Sequence, residues 1–315
     1  MGKTVFLFPG QGSQEVGMGY DLFRQDEYFI SLVEKASEQV GEDLKRICLK
    51  GPEKRLAKAA FVQPLLVAVS LGYLRHVHQK EIPGDFVLGH SLGEITALAA
   101  SGVIDDTVAI TVAAKRGQLM DEAAASCDGG MMAVLSITSE KIQSIINEMG
   151  INDTLVIANF NAPNQTVVSG SQSSFDDFSA EIVKAGGTCK KLNVAGPWHS
   201  PYLKSACDQF KTWAQQFGFM TPSIPLILNG TGQPESDPAK IKEFISASLI
   251  SPAYFAKCME YCKSQNVDTF LEIGPGRVLS GLVRANGFME TTRIYKCNNL
   301  RGVELACADF LPKES

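Results

Sequence analysis

Residues 87–100 read VLGHSLGEITALAA, and within them Gly89, Ser91 and Gly93 have the G-x-S-x-G spacing of a nucleophile elbow. At such a turn a strand ends, a helix begins, and the exposed serine can attack a carbonyl while N–H groups of the helix N-terminus hold the resulting oxyanion. A serine that only caps a helix has the same local signature. The apolar Phe86-Val87-Leu88 before it and the helix-compatible EITALAAS after it favour the elbow.

A serine nucleophile needs a base, and the chain has four histidines. His90 adjoins the serine, where neighbouring side chains diverge; His76 and His78 sit in a polar stretch, YLRHVHQKEI, that reads as the solvated end of a helix. His199, in VAGPWHSPYL, follows a strand end and a Gly-Pro turn, a loop of the kind that carries active-site groups. Elimination selects His199. Gln11, in PGQGSQ, is placed for its backbone N–H to complete an oxyanion hole, or is part of a tight turn with no further role. Arg116, in AAKRGQLMDEA, has the fork geometry to hold a carboxylate, although the local pattern beside Lys115 favours a solvent-facing arginine. A hydrolase triad would add an acid between nucleophile and histidine, where most acids fall in what reads as a separate unit.

The elements that must position these residues alternate. TVFLF (4–8) and FVLGH (86–90) are buried strands running into Gly-containing turns; IPLILN (224–229) and TFLEIGPG (269–276) supply two more. Leu65, Val69 and Leu74 lie at helical spacing between the first two, so helices cover a parallel sheet and the class is α/β. From Gly130 to Gly196 the order changes to βαββαβ. MMAVLSI, TLVIANF, QTVVSG and CKKLNVAG are its strands; its helices carry Ile142, Ile145, Ile146 and Met149, then Phe175, Phe178, Ile182 and Val183. This is a ferredoxin-like arrangement. We expect residues 129–197 to form an inserted small domain and residues 1–128 and 198–315 to form a discontinuous large one.

The 315 residues are 45% hydrophobic and 20% charged with a formal charge of 29 − 34 = −5, which gives no pull toward nucleic acid or an anionic membrane. The apolar stretch Pro64–Leu74 is interrupted by Ser70 and Gly72, so no membrane span is expected. The N-terminus suits a first strand better than a secretory signal, which predicts a cytoplasmic protein. Eight cysteines, at 48, 127, 189, 207, 258, 262, 297 and 307, lack the paired spacing of a zinc site, and reduced thiols with no bound metal are expected.

Together these pieces resemble the malonyl-CoA:acyl carrier protein transacylase family, including the stand-alone acyltransferases that serve polyketide synthases. The matching stretches are FLFPGQGSQ with Gly17-Met18-Gly19, QPLLVA from Gln63, GHSLGE, RGQLM from Arg116, NFNAPNQTVVSG from Asn159, His199-Ser200 and EIGPG from Glu272. They occur in the family's order over roughly residues 4–280. The resemblance implies an α/β-hydrolase-like domain with a ferredoxin-like insertion, acylation of Ser91, His199 as base and then acid, and an oxyanion hole from the N–H groups of Gln11 and Leu92. It implies that Arg116 takes a malonyl-type carboxylate, reversing the local reading, with Gln63, Trp198 and Asn161 also on the substrate.

No permanent cofactor is implied. Malonyl-CoA is the substrate, and the partner is an acyl carrier protein with its phosphopantetheine arm; a monomer is expected. The sequence departs from the family twice. Where bacterial members commonly carry a glutamine that orients the histidine, this chain has Ser248, so a backbone carbonyl or another side chain must do so. Trp198 precedes the histidine where malonyl-selective relatives often have Ser or Phe; with Leu92 it should narrow the acyl pocket and favour malonyl over methylmalonyl. Hydrolysis of carrier-bound acyl chains and a non-enzymatic carrier-binding scaffold are the competing readings; Arg116 weighs against the first. Lys190, Lys191, Arg277 and Arg284 are candidates for a cationic docking patch.

Overall fold

The apolar runs that read as buried strands form the middle of a six-stranded sheet in the computed structural model, which describes residues 2–310. Its spatial order is β10 (Arg293–Cys297), β9 (Val267–Ile273), β1 (Lys3–Phe8), β2 (Phe86–Gly89), β7 (Leu226–Ile227) and β8 (Pro234–Glu235). All neighbours are parallel except the short β7–β8 pair. Val5, Leu7 and Phe270 pack on one face while Phe6, Phe8 and Leu271 pack on the other, as a doubly covered sheet requires. The segment expected as a strand over 224–229 contributes only Leu226–Ile227, and β10, whose residues are mostly half-exposed, has no counterpart in the sequence reading.

The second sheet has the order β4 (Leu155–Ala162), β5 (Gln165–Ser171), β3 (Gly129–Leu135), β6 (Thr188–Lys191), all antiparallel. With helices Ser139–Glu148 and Phe175–Lys184 this is the ferredoxin-like βαββαβ unit, interrupting an α/β-hydrolase-like domain. Ile142, Ile145, Ile146, Phe175, Phe178 and Ile182 close its core against the sheet. Val183 does not join them and is 62% exposed, because it sits about 100° round the helix from Ile182.

Two long helices carry the site's charged side of the large domain. Helix Ala59–Gln79 is buried almost all round. By length and composition it is the one described helix that could cross a membrane, but 78% of its apolar window is buried inside the protein. Helix Asp106–Ala125 packs against it, and Gly117 permits the approach, since a Cβ there would lie 2.2 Å from the Ala59 carbonyl oxygen. The same contact caps the first helix. Lys58 offers it no side-chain cap, and Asp121 instead accepts from the N–H groups of Ala59 and Ala60 at 3.0 and 2.9 Å. All eight cysteines are free thiols, six of them buried.

Candidate active site

The elbow forms because two glycines let a strand and a helix nearly touch. A Cβ on Gly89 would lie 1.9 Å from the Gly93 carbonyl carbon, and one on Gly93 would lie 2.0 Å from the Phe8 carbonyl oxygen. Between them Ser91 takes φ 51°, a left-handed conformation that costs a non-glycine residue about 1–3 kcal/mol. Helix Gly93–Ala100 follows at once. Among the described residues, the N–H groups of Leu92 and Gln11 donate to no protein acceptor, whereas that of Ser91 donates to Asn229 Oδ1 at 2.8 Å.

His199 is brought to Ser91 by a second strained turn. It has φ 59°, and the neighbouring Ser200 hydroxyl donates to the Pro197 carbonyl at 2.5 Å, closing the turn. Ser91 Oγ lies 2.7 Å from His199 Nε2, and His199 Nδ1 lies 2.9 Å from the Ser251 carbonyl. A carbonyl can only accept, so Nδ1 carries the proton and Nε2 is free to accept the serine's. The orienting group absent at Ser248 is therefore the main chain of Ser251. That main chain is held by the small sheet: Ala253 exchanges N–H···O bonds with β4, donating to Ala158 and accepting from Phe160, both at 2.9 Å.

Burial first, and the Arg116 charge second, push His199 down to about 3, against the raising effect of the Ser251 and Ser248 main chain. The imidazole is therefore neutral and available as a base throughout the physiological range.

Arg116 is 1% exposed, and the structure overturns its local reading as a solvent-facing residue. Its Nη1 donates to Gln63 Oε1 at 3.0 Å and its Nη2 to Ser91 Oγ at 3.4 Å, while Nε has no partner. Among the described residues no carboxylate forms an ion pair with it. Burial lowers it to about 10, against the raising effect of the nearby Glu94, which leaves it cationic at neutral pH. A buried cation without a counter-ion is costly unless a ligand supplies one.

Ser91, His199, Arg116, Gln11, Asn161 and Trp198 share the lining of one cavity of about 260 Å³. Gln63 does not line it. It stands behind Arg116, with its Nε2 donating to Met120 Sδ at 3.1 Å and to Gln11 Oε1 at 3.4 Å, so it positions the cation. The Leu92 side chain is buried in the core and is not part of the cavity lining. Trp198 and Met131 do bound it, and Val278, Leu279 and Leu282 form the opposite wall. That wall is anchored by Glu272 of EIGPG, whose carboxylate accepts from the N–H groups of Leu279 and Ser280, both at 2.9 Å. Asn161 Oδ1 accepts from His90 Nε2 at 2.8 Å, which commits His90 to the small sheet and away from Ser91.

His76 pairs with Asp26 at 2.9 Å at the end of its helix. All four docking candidates, Lys190, Lys191, Arg277 and Arg284, are exposed; Lys191 pairs with Asp176 at 3.0 Å, and Arg284 donates to the carbonyls of Met289 and, at 2.8 Å, Thr292.

A strained serine at a strand-to-helix turn, bonded to a neutral buried histidine, is an arrangement suited to forming acyl esters, and the fold and site together define an acyl-handling α/β enzyme. The chain belongs to the acyl transferase domain family, whose model matches residues 5–294, and it is an acyltransferase. It is 34% identical to the malonyl CoA-acyl carrier protein transacylase of Bacillus subtilis (strain 168) over 287 residues, 90% of each chain. The crystal structure of an acyl carrier protein S-malonyltransferase from Vibrio cholerae superposes with a TM-score of 0.90 at 33% identity, covering 96% of this chain and 99% of that one. A type II polyketide synthase acyl-carrier protein in complex with its malonyl-transacylase gives a TM-score of 0.91 at 30% identity, covering 98% and 99%.

Proposed function

We propose that the enzyme moves a malonyl group from malonyl-CoA to the phosphopantetheine thiol of an acyl carrier protein. The observation that carries this is Arg116, a buried cation without a carboxylate partner 3.4 Å from the Ser91 hydroxyl. The free carboxylate of malonyl supplies the missing anion and fixes the thioester carbonyl over Ser91. Ser91 Oγ gives its proton to His199 Nε2 as it attacks, and the oxyanion forms against the N–H groups of Gln11 and Leu92. Collapse breaks the C–S bond, and His199 returns the proton to the departing coenzyme A sulfur. The carrier thiol then yields its proton to His199, attacks the ester and releases Ser91, which takes the proton back. The two half-reactions form a ping-pong cycle.

Residues 1–128 and 198–315 form the catalytic domain in this reading and 129–197 the inserted one; residue 1 and residues 311–315 lie outside the described residues. Eight unpaired thiols suit the cytoplasm, where we place the enzyme. The Trp198 ring favours malonyl over its α-methyl analogue, and equal acylation rates with methylmalonyl-CoA would contradict that selectivity.

The test is labelled malonyl-CoA with a holo carrier protein, following malonyl-carrier against free malonate. Wild type should load the carrier, Ser91→Ala should not, and Arg116→Ala should lose about 10²–10³-fold in malonyl transfer while gaining relative activity toward uncharged acyl groups. Free malonate as the main product, unchanged by carrier, would overturn transfer in favour of hydrolysis.

A further inference from the structure

Asn229 stands two residues past the short strand β7, 138 residues from Ser91, yet it touches the elbow at three points. Its Oδ1 accepts the N–H of Ser91 at 2.8 Å, its Nδ2 donates to the Gly89 carbonyl at 2.6 Å, and its own N–H donates to Glu94 Oε1 at 2.7 Å. These contacts reach the strand end, the nucleophile and the first turn of the following helix. Asn229 is 2% and Glu94 5% exposed, so the bonds form away from competing water.

We propose that Asn229, held by Glu94, is the positioning residue of the nucleophile elbow. Two consequences follow from its geometry. It satisfies the Ser91 N–H, which has no main-chain acceptor among the described residues, and so offsets part of the cost of the left-handed turn at that residue. It also occupies the Ser91 N–H, which restricts the oxyanion site to the free N–H groups on either side, Gln11 and Leu92. The inference rests on Ser91 being the nucleophile of the proposed reaction, but it concerns the reactivity of that hydroxyl toward any electrophile.

A fluorophosphonate probe isolates this reactivity, because Ser91 Oγ attacks phosphorus, fluoride leaves and His199 takes the serine proton, with no acyl pocket required. Asn229→Ala should lower the maximal labelling rate about 10²-fold with little change in the half-saturating probe concentration. Asn229→Asp separates positioning from general destabilisation. Protonated, its carboxyl accepts from Ser91 and donates to Gly89 as the amide does; ionised, it cannot donate. At this buried site beside Glu94, whose own carboxyl burial raises to about 7, the introduced carboxyl is raised as well, so the variant's labelling rate relative to wild type should fall at least about tenfold between about pH 5.5 and about pH 8, with thermal unfolding confirming a folded variant at each pH.

Wild-type labelling by Asn229→Ala, or an effect confined to half-saturation, overturns the proposal. If Asn229→Ala does not fold, the Asn229→Asp profile decides, and a flat ratio overturns it. Wild type that takes the probe but transfers no malonyl defeats the proposed function instead, while leaving the Asn229 comparison intact.

Discussion

At the scale of single residues, the Ser91 hydroxyl lies between a neutral imidazole and a guanidinium that has no ion-pair partner among the described residues. The Arg116 charge is the second cause of His199's lowered basicity after burial. A malonyl carboxylate that neutralises Arg116 therefore makes His199 a stronger base at the moment the acyl group is in place. Since the base must be unprotonated, a lowered pKa moves the acid limb of kcat/KM downward, below the ordinary imidazole value of about 6.5. An acid limb at or above that value would contradict the assignment. In Arg116→Ala, assayed with an uncharged acyl-CoA, the limb should shift upward but stay depressed, because burial remains. The Ser-His pair was legible from G-x-S-x-G and four histidines. The Ser251 carbonyl was not, because a main-chain acceptor leaves no residue type to read. Nor was the role of Gln63, whose contact with Arg116 depends on how two helices pack across 53 positions of sequence.

At the scale of elements, the site depends on how closely helices and loops approach. The pairing of helix Ala59–Gln79 with helix Asp106–Ala125 sets the distance from Gln63 to Arg116. Gly117→Ala must push them apart, because its Cβ would meet backbone at 2.2 Å. We expect a loss of about 1–3 kcal/mol in thermal unfolding together with weaker malonyl acylation, whereas acylation with an uncharged acyl-CoA should fall less. The Ser251 loop is the other sensitive element. Ala253→Pro deletes the N–H that binds the Ala158 carbonyl, and should lower kcat about tenfold or more with little change in malonyl-CoA KM, measurable in single-turnover acylation. The strand Lys3–Phe8 declared itself through the continuous apolar run Val5–Phe8, buried on both faces. The edge strand Arg293–Cys297, in which only Cys297 is buried, had no such run to announce it.

At the scale of the whole molecule, two buried groups titrate away from their ordinary ranges and tie the stability of the fold to pH. His199 is depressed in the folded protein, so the unfolded chain gains a proton first and stability falls as the pH drops below about 6.5. Glu94 is raised to about 7 by burial, so its contribution is complete below the unfolded value of 4.5 and is lost as the pH rises from there through about 7. The two trends oppose each other across the weakly acidic range. Replacing His199 with glutamine should remove the first, giving a variant whose chemical-denaturation stability declines less than wild type's on acidification, by roughly 2 kcal/mol at about pH 5. A parallel decline in both proteins would show that His199 is not held neutral.

The Ser251 carbonyl has a consequence for how this enzyme tolerates mutation. Every residue carries a main-chain oxygen, so no codon change at position 251 can delete the acceptor that aims the histidine. In this chain the side chains of Ser248 and Ser251 are thereby released from that duty, and the constraint passes to whatever fixes the path of the backbone: the N–H of Ala253 and the strand edge it meets. The aim of His199 is thus set from the small sheet, through the main chain of Ala158 and Phe160 rather than through any side chain beside the ring.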